Sequence, residues 1–162
     1  MRVKTVVDED FTNYKKASMF IGTTSCDGKC CIDAGIPLSV CQNDGWRFGA
    51  PSVCISDREL CQRYLNNPLT KAVVFGGLEP FEQFDEMFRF IFMLRNVFGC
   101  DDDVVIYTGY YPEEIKPWLN TLRCHSNIVV KFGRYKPDHP QHFDNTLGVY
   151  LASDNQYGER IS

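Results

Sequence analysis

The chain has no long apolar run. Its longest uninterrupted stretch is Phe90-Ile91-Phe92-Met93-Leu94, whereas a membrane-spanning helix needs about 20 residues. No transmembrane helix and no membrane partner are therefore expected. Positive charge is not in excess: 17 Lys and Arg stand against 21 Asp and Glu, a formal net charge of −4. That balance leaves no electrostatic footprint for nucleic acid. Met1 to Lys16 is charged and lacks the apolar core of a secretory signal, so the expected location is the cytoplasm. Internal repeats and low-complexity tracts are absent. Hydrophobic residues make up 44% and charged residues 23%, which excludes global disorder. A length of 162 residues suits one domain spanning 1–162.

The residue in surplus is cysteine, with 8 in the chain. The even count would allow a disulfide scaffold, but a chain of this length can bury a core without staples. The spacing is also uneven. Cys26, Cys30, Cys31 and Cys41 crowd one segment, while Cys54, Cys61, Cys100 and Cys124 are scattered. Crowding of this kind in a reduced compartment reads as metal or redox chemistry. The scattered four read as plain buried thiols.

The apolar periodicity alternates along the chain. Ser56-Asp57-Arg58-Glu59 is a capping-box pattern ahead of Leu60, Cys61, Tyr64 and Leu65. Lys71 to Phe75 reads as a buried strand that stops at Gly76-Gly77. A helix from about Glu82 to Phe98 follows, with Phe84, Met87, Phe88, Ile91, Leu94 and Phe98 at spacings of three or four and Gly99 as its stop. Val104 to Tyr107 is the next strand. Pro112 opens a helix carrying Ile115, Trp118, Leu119 and Leu122, in which Pro117 is a flaw or a kink. Ile128 to Lys131 is a further strand, and Val149 to Leu151 the last. Met19-Phe20-Ile21 begins the sheet. Strands alternating with helices imply right-handed crossovers. The expected fold is an α/β open, partial (β/α) barrel with a mostly parallel sheet of about 4–6 strands. Ligands in such sheets bind at the carboxyl ends of the strands.

Two segments at strand ends carry chemistry. In the first, Cys26-Asp27-Gly28-Lys29-Cys30-Cys31 with Cys41-Gln42-Asn43, closely spaced thiolates can wrap one soft metal centre, iron–sulfur or zinc. A closed zinc site takes four ligands, and this segment can supply them. Three thiolates on a cubane leave one iron open. Adjacent Cys30 and Cys31 point different ways on most backbones, so one cube does not take both. In the second, Gly76-Gly77-Leu78-Glu79-Pro80, the glycines expose backbone carbonyls that can accept from an ammonium group.

Together these segments resemble the radical S-adenosylmethionine superfamily, with its Cys-x3-Cys-x2-Cys loop after the first strand and Gly-Gly-Glu-Pro turn after the second. Cys41-Gln42-Asn43, Tyr107-Thr108-Gly109-Tyr110, Lys131-Phe132-Gly133-Arg134-Tyr135 and Ser153-Asp154-Asn155-Gln156 are similar to segments of one branch, the small activating proteins of anaerobic ribonucleotide reductase. The resemblance runs from about residue 18 to residue 160. It departs from the family in the cysteine loop, where Cys41 lies eleven residues after Cys30 and residues 32–40 form an insertion.

The resemblance implies a [4Fe–4S] cluster held by Cys26, Cys30 and Cys41, with Cys31 the alternate for Cys30. It implies S-adenosylmethionine bound by Gly76, Gly77, Glu79 and Pro80, with Thr108, Asn155 and Lys131 as further candidate contacts. The implied activity is reductive cleavage of that cofactor to a 5′-deoxyadenosyl radical. The implied partners are a large glycyl-radical enzyme and an electron donor such as flavodoxin or ferredoxin. Tyr110-Tyr111 and Trp46-Arg47-Phe48 are candidate docking aromatics at the mouth of the site. A noncatalytic iron–sulfur or zinc module, or an electron-transfer subunit, is the competing reading. His139 and His142, flanked by Pro137 and Pro140, read as surface residues, and Asp101-Asp102-Asp103 as a solvated turn.

Overall fold

The computed structural model describes residues 1–49 and 51–162. Four strands form its parallel centre: β3 (Ser18–Gly22), β5 (Ala72–Gly76), β6 (Asp103–Tyr107) and β7 (Ile128–Phe132). β2 (Thr5–Asp10) and β10 (Tyr157–Arg160) flank them, giving the order β10-β7-β6-β5-β3-β2. Both flanking strands run antiparallel to their neighbours. The sheet is therefore mixed and six-stranded, and no barrel is closed. This corrects the expectation of a mostly parallel sheet. The edge strands escaped the sequence reading because Thr-Val-Val-Asp-Glu-Asp and Tyr-Gly-Glu-Arg carry no apolar run. Val149 to Leu151 is also not the last strand. As β9 (Val149–Leu151) it pairs with β8 (His142–Asp144) in a separate hairpin. β1 (Arg2–Val3) and β4 (Val53–Cys54) form a second small ladder.

The helices are α1 (Lys29–Ala34), α2 (Asp44–Phe48), α3 (Asp57–Leu65), α4 (Phe84–Asn96) and α5 (Lys116–Leu122). Residues alternate between the two faces of a strand, and the core divides accordingly. Met19, Ile21, Val73, Phe75, Ile106 and Val130 face the helical side and pack on Leu60 and Tyr64 of α3, Met87 and Ile91 of α4, and Leu119 and Leu122 of α5. Ala72, Val74, Val105 and Val129 face the other way and are covered by Tyr14, Leu147 and Leu151 instead of helices. Burial on both faces explains the continuous Val-rich runs.

Local signals account for the element ends. The Ser56 hydroxyl accepts from the Glu59 N–H at 3.1 Å, capping α3. Leu65 departs from the expected stripe and is exposed. Gly99, at φ 64, stops α4. Phe90 joins the buried face of α4, where Phe88 is only partly buried; Phe98 lies past the helix end and is partly buried too. Pro117 is not a kink, because α5 begins at Lys116 and the proline lies in its first turn, where its missing N–H costs nothing. Two of the four scattered thiols, Cys54 and Cys124, are exposed and not buried as expected.

Asp103 corrects the reading of the aspartate run. It opens β6 and is buried. Its carboxylate pairs with Lys16 at 2.5 Å and Arg160 at 2.8 Å and accepts from the Tyr14 hydroxyl at 3.0 Å. The loop before β3, the head of β6 and the last strand are thereby joined at one group. Burial raises the Asp103 pKa, but the two cations outweigh it and hold the carboxyl below its ordinary value. A depressed carboxylate stabilises the fold above its unfolded pKa, and that contribution is lost as pH falls through the folded value. Asp103→Asn is expected to cost about 1–3 kcal/mol at neutral pH, because the partners are partly exposed. Urea midpoints should show a constant gap from wild type above about pH 5 that narrows below about pH 4.

Candidate metal centre

The carboxyl ends of β3, β5, β6 and β7 open into one cavity of about 790 Å³, lined by Cys26, Cys30, Cys31, Cys41, Gly77, Glu79, Thr108 and Lys131 among others. The cysteine loop and the Gly-Gly turn, 34 residues apart at Asn43 and Gly77, meet here. The Asn43 side-chain N–H donates to the Gly77 carbonyl at 2.7 Å. Gly77 has φ +82, and a Cβ there would lie 2.4 Å from the Trp46 ring, so only glycine allows the indole to lie on the turn. The Gly76 carbonyl accepts from both the N–H and the hydroxyl of Thr23, at 2.9 and 3.1 Å.

Glu79 joins the turn to the next strand end. Its carboxylate is buried and accepts from the Thr108 hydroxyl at 2.8 Å, the Gly109 N–H at 2.9 Å and the Phe81 N–H at 3.1 Å. Its own N–H donates to the Ser25 carbonyl at 2.7 Å. Burial pushes the Glu79 pKa up to about 7 against these donors. Thr108, expected as a ligand contact, thus spends its hydroxyl on Glu79. Pro80 opens the short 3-10 turn Pro80–Gln83 that Glu79 caps. Lys131 is buried, its Nζ donates to the Gly133 carbonyl at 2.8 Å, and burial lowers its pKa to about 8. Asn155 donates to the Arg134 carbonyl at 2.8 Å and leaves its Oδ1 buried without a partner.

The four clustered cysteines fall into two pairs. Cys26 and Cys30 lie on the side of Glu79 and Lys131. Cys31 lies near Cys41, and burial and that neighbour push its thiol up. The Cys30 sulfur touches Gly109 so closely that a Cβ there would sit 2.4 Å from it. Among the described residues, no three Cys, His, Asp or Glu side chains are gathered round one point ready to hold a metal ion. Burial pushes Cys26 and Cys31 up and Cys30 up to about 11, so each packs as a neutral thiol until a metal deprotonates it. His139 pairs with Asp154 at 2.5 Å, and among the described residues no histidine joins the thiols.

An ion network that the sequence reading missed anchors the cysteine helix. From α1, Lys29 binds Glu114 at 2.6 Å and Asp33 binds Arg134 at 2.8 Å. Arg134 closes the network on Glu114 with two bonds, at 2.6 and 2.8 Å. Tyr110 donates to Asp27 at 3.0 Å, and Arg134 stacks over Tyr111 at 5.1 Å. The two tyrosines therefore brace the loop and are not free docking groups. Phe48, by contrast, is 80% exposed. The Glu-Glu pair after Pro112 and the basic Gly133-Arg134 turn were the available signals. Both carry charge at the same ends of the sheet as the cysteines.

A family model described as a 4Fe-4S single cluster domain matches residues 34–154. The chain belongs to that family. No curated protein and no solved structure matches it. The 4Fe-4S single cluster domain family is found in radical S-adenosylmethionine-related proteins. Its match begins within α1, so it takes in Cys41 and leaves Cys26, Cys30 and Cys31 ahead of it. The residues present fit a cluster of this kind. Four thiols line one cavity with a buried cation beside it, and thiolate sulfur is the donor that iron–sulfur clusters take.

The resemblance gives an ordered expectation for iron content. In anaerobically reconstituted protein, Cys26→Ala, Cys30→Ala and Cys41→Ala should each lose most of the iron. Cys31→Ala should keep it. Iron and sulfide counting decides, and full iron in Cys30→Ala with loss in Cys31→Ala would exchange their roles.

Proposed function

We propose that this 4Fe-4S domain is a radical S-adenosylmethionine enzyme that activates a large glycyl-radical protein, as an anaerobic ribonucleotide reductase activase does. The observation that carries this reading is the shared cavity. The cysteine loop and the Gly-Gly-x-Glu-Pro turn, distant in sequence, line one space of about 790 Å³, a volume suited to a small cofactor. When bound together, such a cluster and S-adenosylmethionine supply a one-electron reductive cleavage that yields methionine and a 5′-deoxyadenosyl radical.

The chain's own residues would hold and orient that cofactor. A carbonyl oxygen offers two lone pairs. The Gly76 carbonyl already accepts twice from Thr23, whereas the Gly77 carbonyl accepts once from Asn43. Gly77 is thus the free acceptor for an amino group. Glu79 fixes the spacing between the two strand ends, and Thr108 and Gly109 fix Glu79. Trp46 lies over the Gly-Gly turn. Around the cysteine loop, Ile32, Val40 and Phe48 are exposed, which suits a large protein partner better than a small substrate. An electron donor such as flavodoxin or ferredoxin would serve the cluster, and the setting would be the reduced, anaerobic cytoplasm.

The test is anaerobic reconstitution followed by dithionite and S-adenosylmethionine. The expected outcome is 5′-deoxyadenosine and methionine in equal amounts, lost in the Cys26→Ala variant. A full cluster that takes up and returns its electron without releasing either product would favour the electron-transfer reading. Stoichiometric zinc without iron would favour a structural module.

A further inference from the structure

Two cations line the cavity, Lys131 and Arg47. Lys131 donates to the Gly133 carbonyl. Arg47 of α2 keeps its Nε buried with no hydrogen-bond partner. Its other two guanidinium nitrogens lie 2.7 and 2.8 Å from the point a Cβ on Gly28 would occupy. The flat head therefore lies directly on the Gly28 backbone. Gly28 has φ +76 and donates its N–H to the Cys26 sulfur at 3.4 Å. The guanidinium charge lies near enough to the Cys26 sulfur to favour its thiolate form. Cys26 is thus faced by a backbone donor and a permanent cation, both at the wall of the cavity.

We infer that Arg47 is a positioning residue for the cluster, donating to the Cys26 sulfur and setting the reduction potential of the group that Cys26 ligates. The inference rests on the proposed ligand role of Cys26. The physical basis is general. Reduction adds negative charge to a cluster that is already anionic, and hydrogen bonds to its sulfurs together with nearby positive charge favour the reduced state. Arginine suits the task because its charge is permanent and its planar fork fixes the direction of donation.

The experiment is a redox titration of the reconstituted full chain followed by electron paramagnetic resonance, without S-adenosylmethionine. Wild type, Arg47→Gln and Arg47→Lys are compared. In Arg47→Gln the ratio of reduced to oxidised cluster at a fixed potential should fall about tenfold, which is ~59 mV for a one-electron couple. In Arg47→Lys it should fall by less, since the charge remains and the fork is lost. An unchanged potential in Arg47→Gln at full iron content overturns the inference. So does an unchanged potential with weakened S-adenosylmethionine binding, which would make Arg47 a contact for the cofactor's carboxylate. If Arg47→Gln does not load iron, Arg47→Lys decides: a lowered potential supports the role and a wild-type potential removes it. A wild-type chain that binds zinc and no iron fails the cluster reading, and this inference falls with it.

Discussion

A carboxylate withdrawn from water must be given donors, and at the end of β5 Glu79 is given three. They come from Thr108, Gly109 and Phe81. These bonds fix the distance between the ends of β5 and β6, and the Glu79 N–H fixes the start of the cysteine loop through Ser25. The cavity exists because this one group binds three neighbouring segments. Leaving such a group or its partners unsatisfied costs about 1–3 kcal/mol per bond, so the turn is firmly held. Strand ends fixed in this way suit a site that must position what it binds precisely.

The cysteine loop depends on charge more than on apolar packing. α1 has six residues and buries one of them, Cys31. Too short to be stable alone, it is held by Lys29 and Asp33 through Glu114 and Arg134. The pairing pulls the Glu114 pKa down to about 2. The network therefore persists across the whole range in which thiolates can form. Glu114 and Arg134 sit at the ends of the sheet beside the cluster loop, so the scaffold and the site share their fastenings.

Much of this was legible from the chain alone. The Val-rich runs, the Ser56 cap and the Gly99 stop gave the parallel centre and two of its helices, because burial on both faces and helix termination leave local marks. The four crowded cysteines and the Gly-Gly-x-Glu-Pro turn pointed to one site at the strand ends. The edge strands left no such mark, since half-exposed strands need no apolar run. The aspartate run looked solvated because the partners that bury Asp103, Lys16 and Arg160, lie far from it in sequence. The bond from Thr108 to Glu79 was hidden for the same reason: the two lie 29 residues apart. The pairing of Cys31 with Cys41 depends on how residues 32–40 turn back, which no spacing rule predicts.

The acidic strand β2 has a meaning of its own. A sheet margin offers unpaired backbone groups to any passing chain. Here the carbonyl of Asp8 accepts from Asn67, and its side chain is gripped by Arg63 of α3. Glu9 accepts from the same asparagine. The end of α3 thus acts as a selvedge along that margin. Acidic side chains and a covered carbonyl on that border hinder the addition of another strand there.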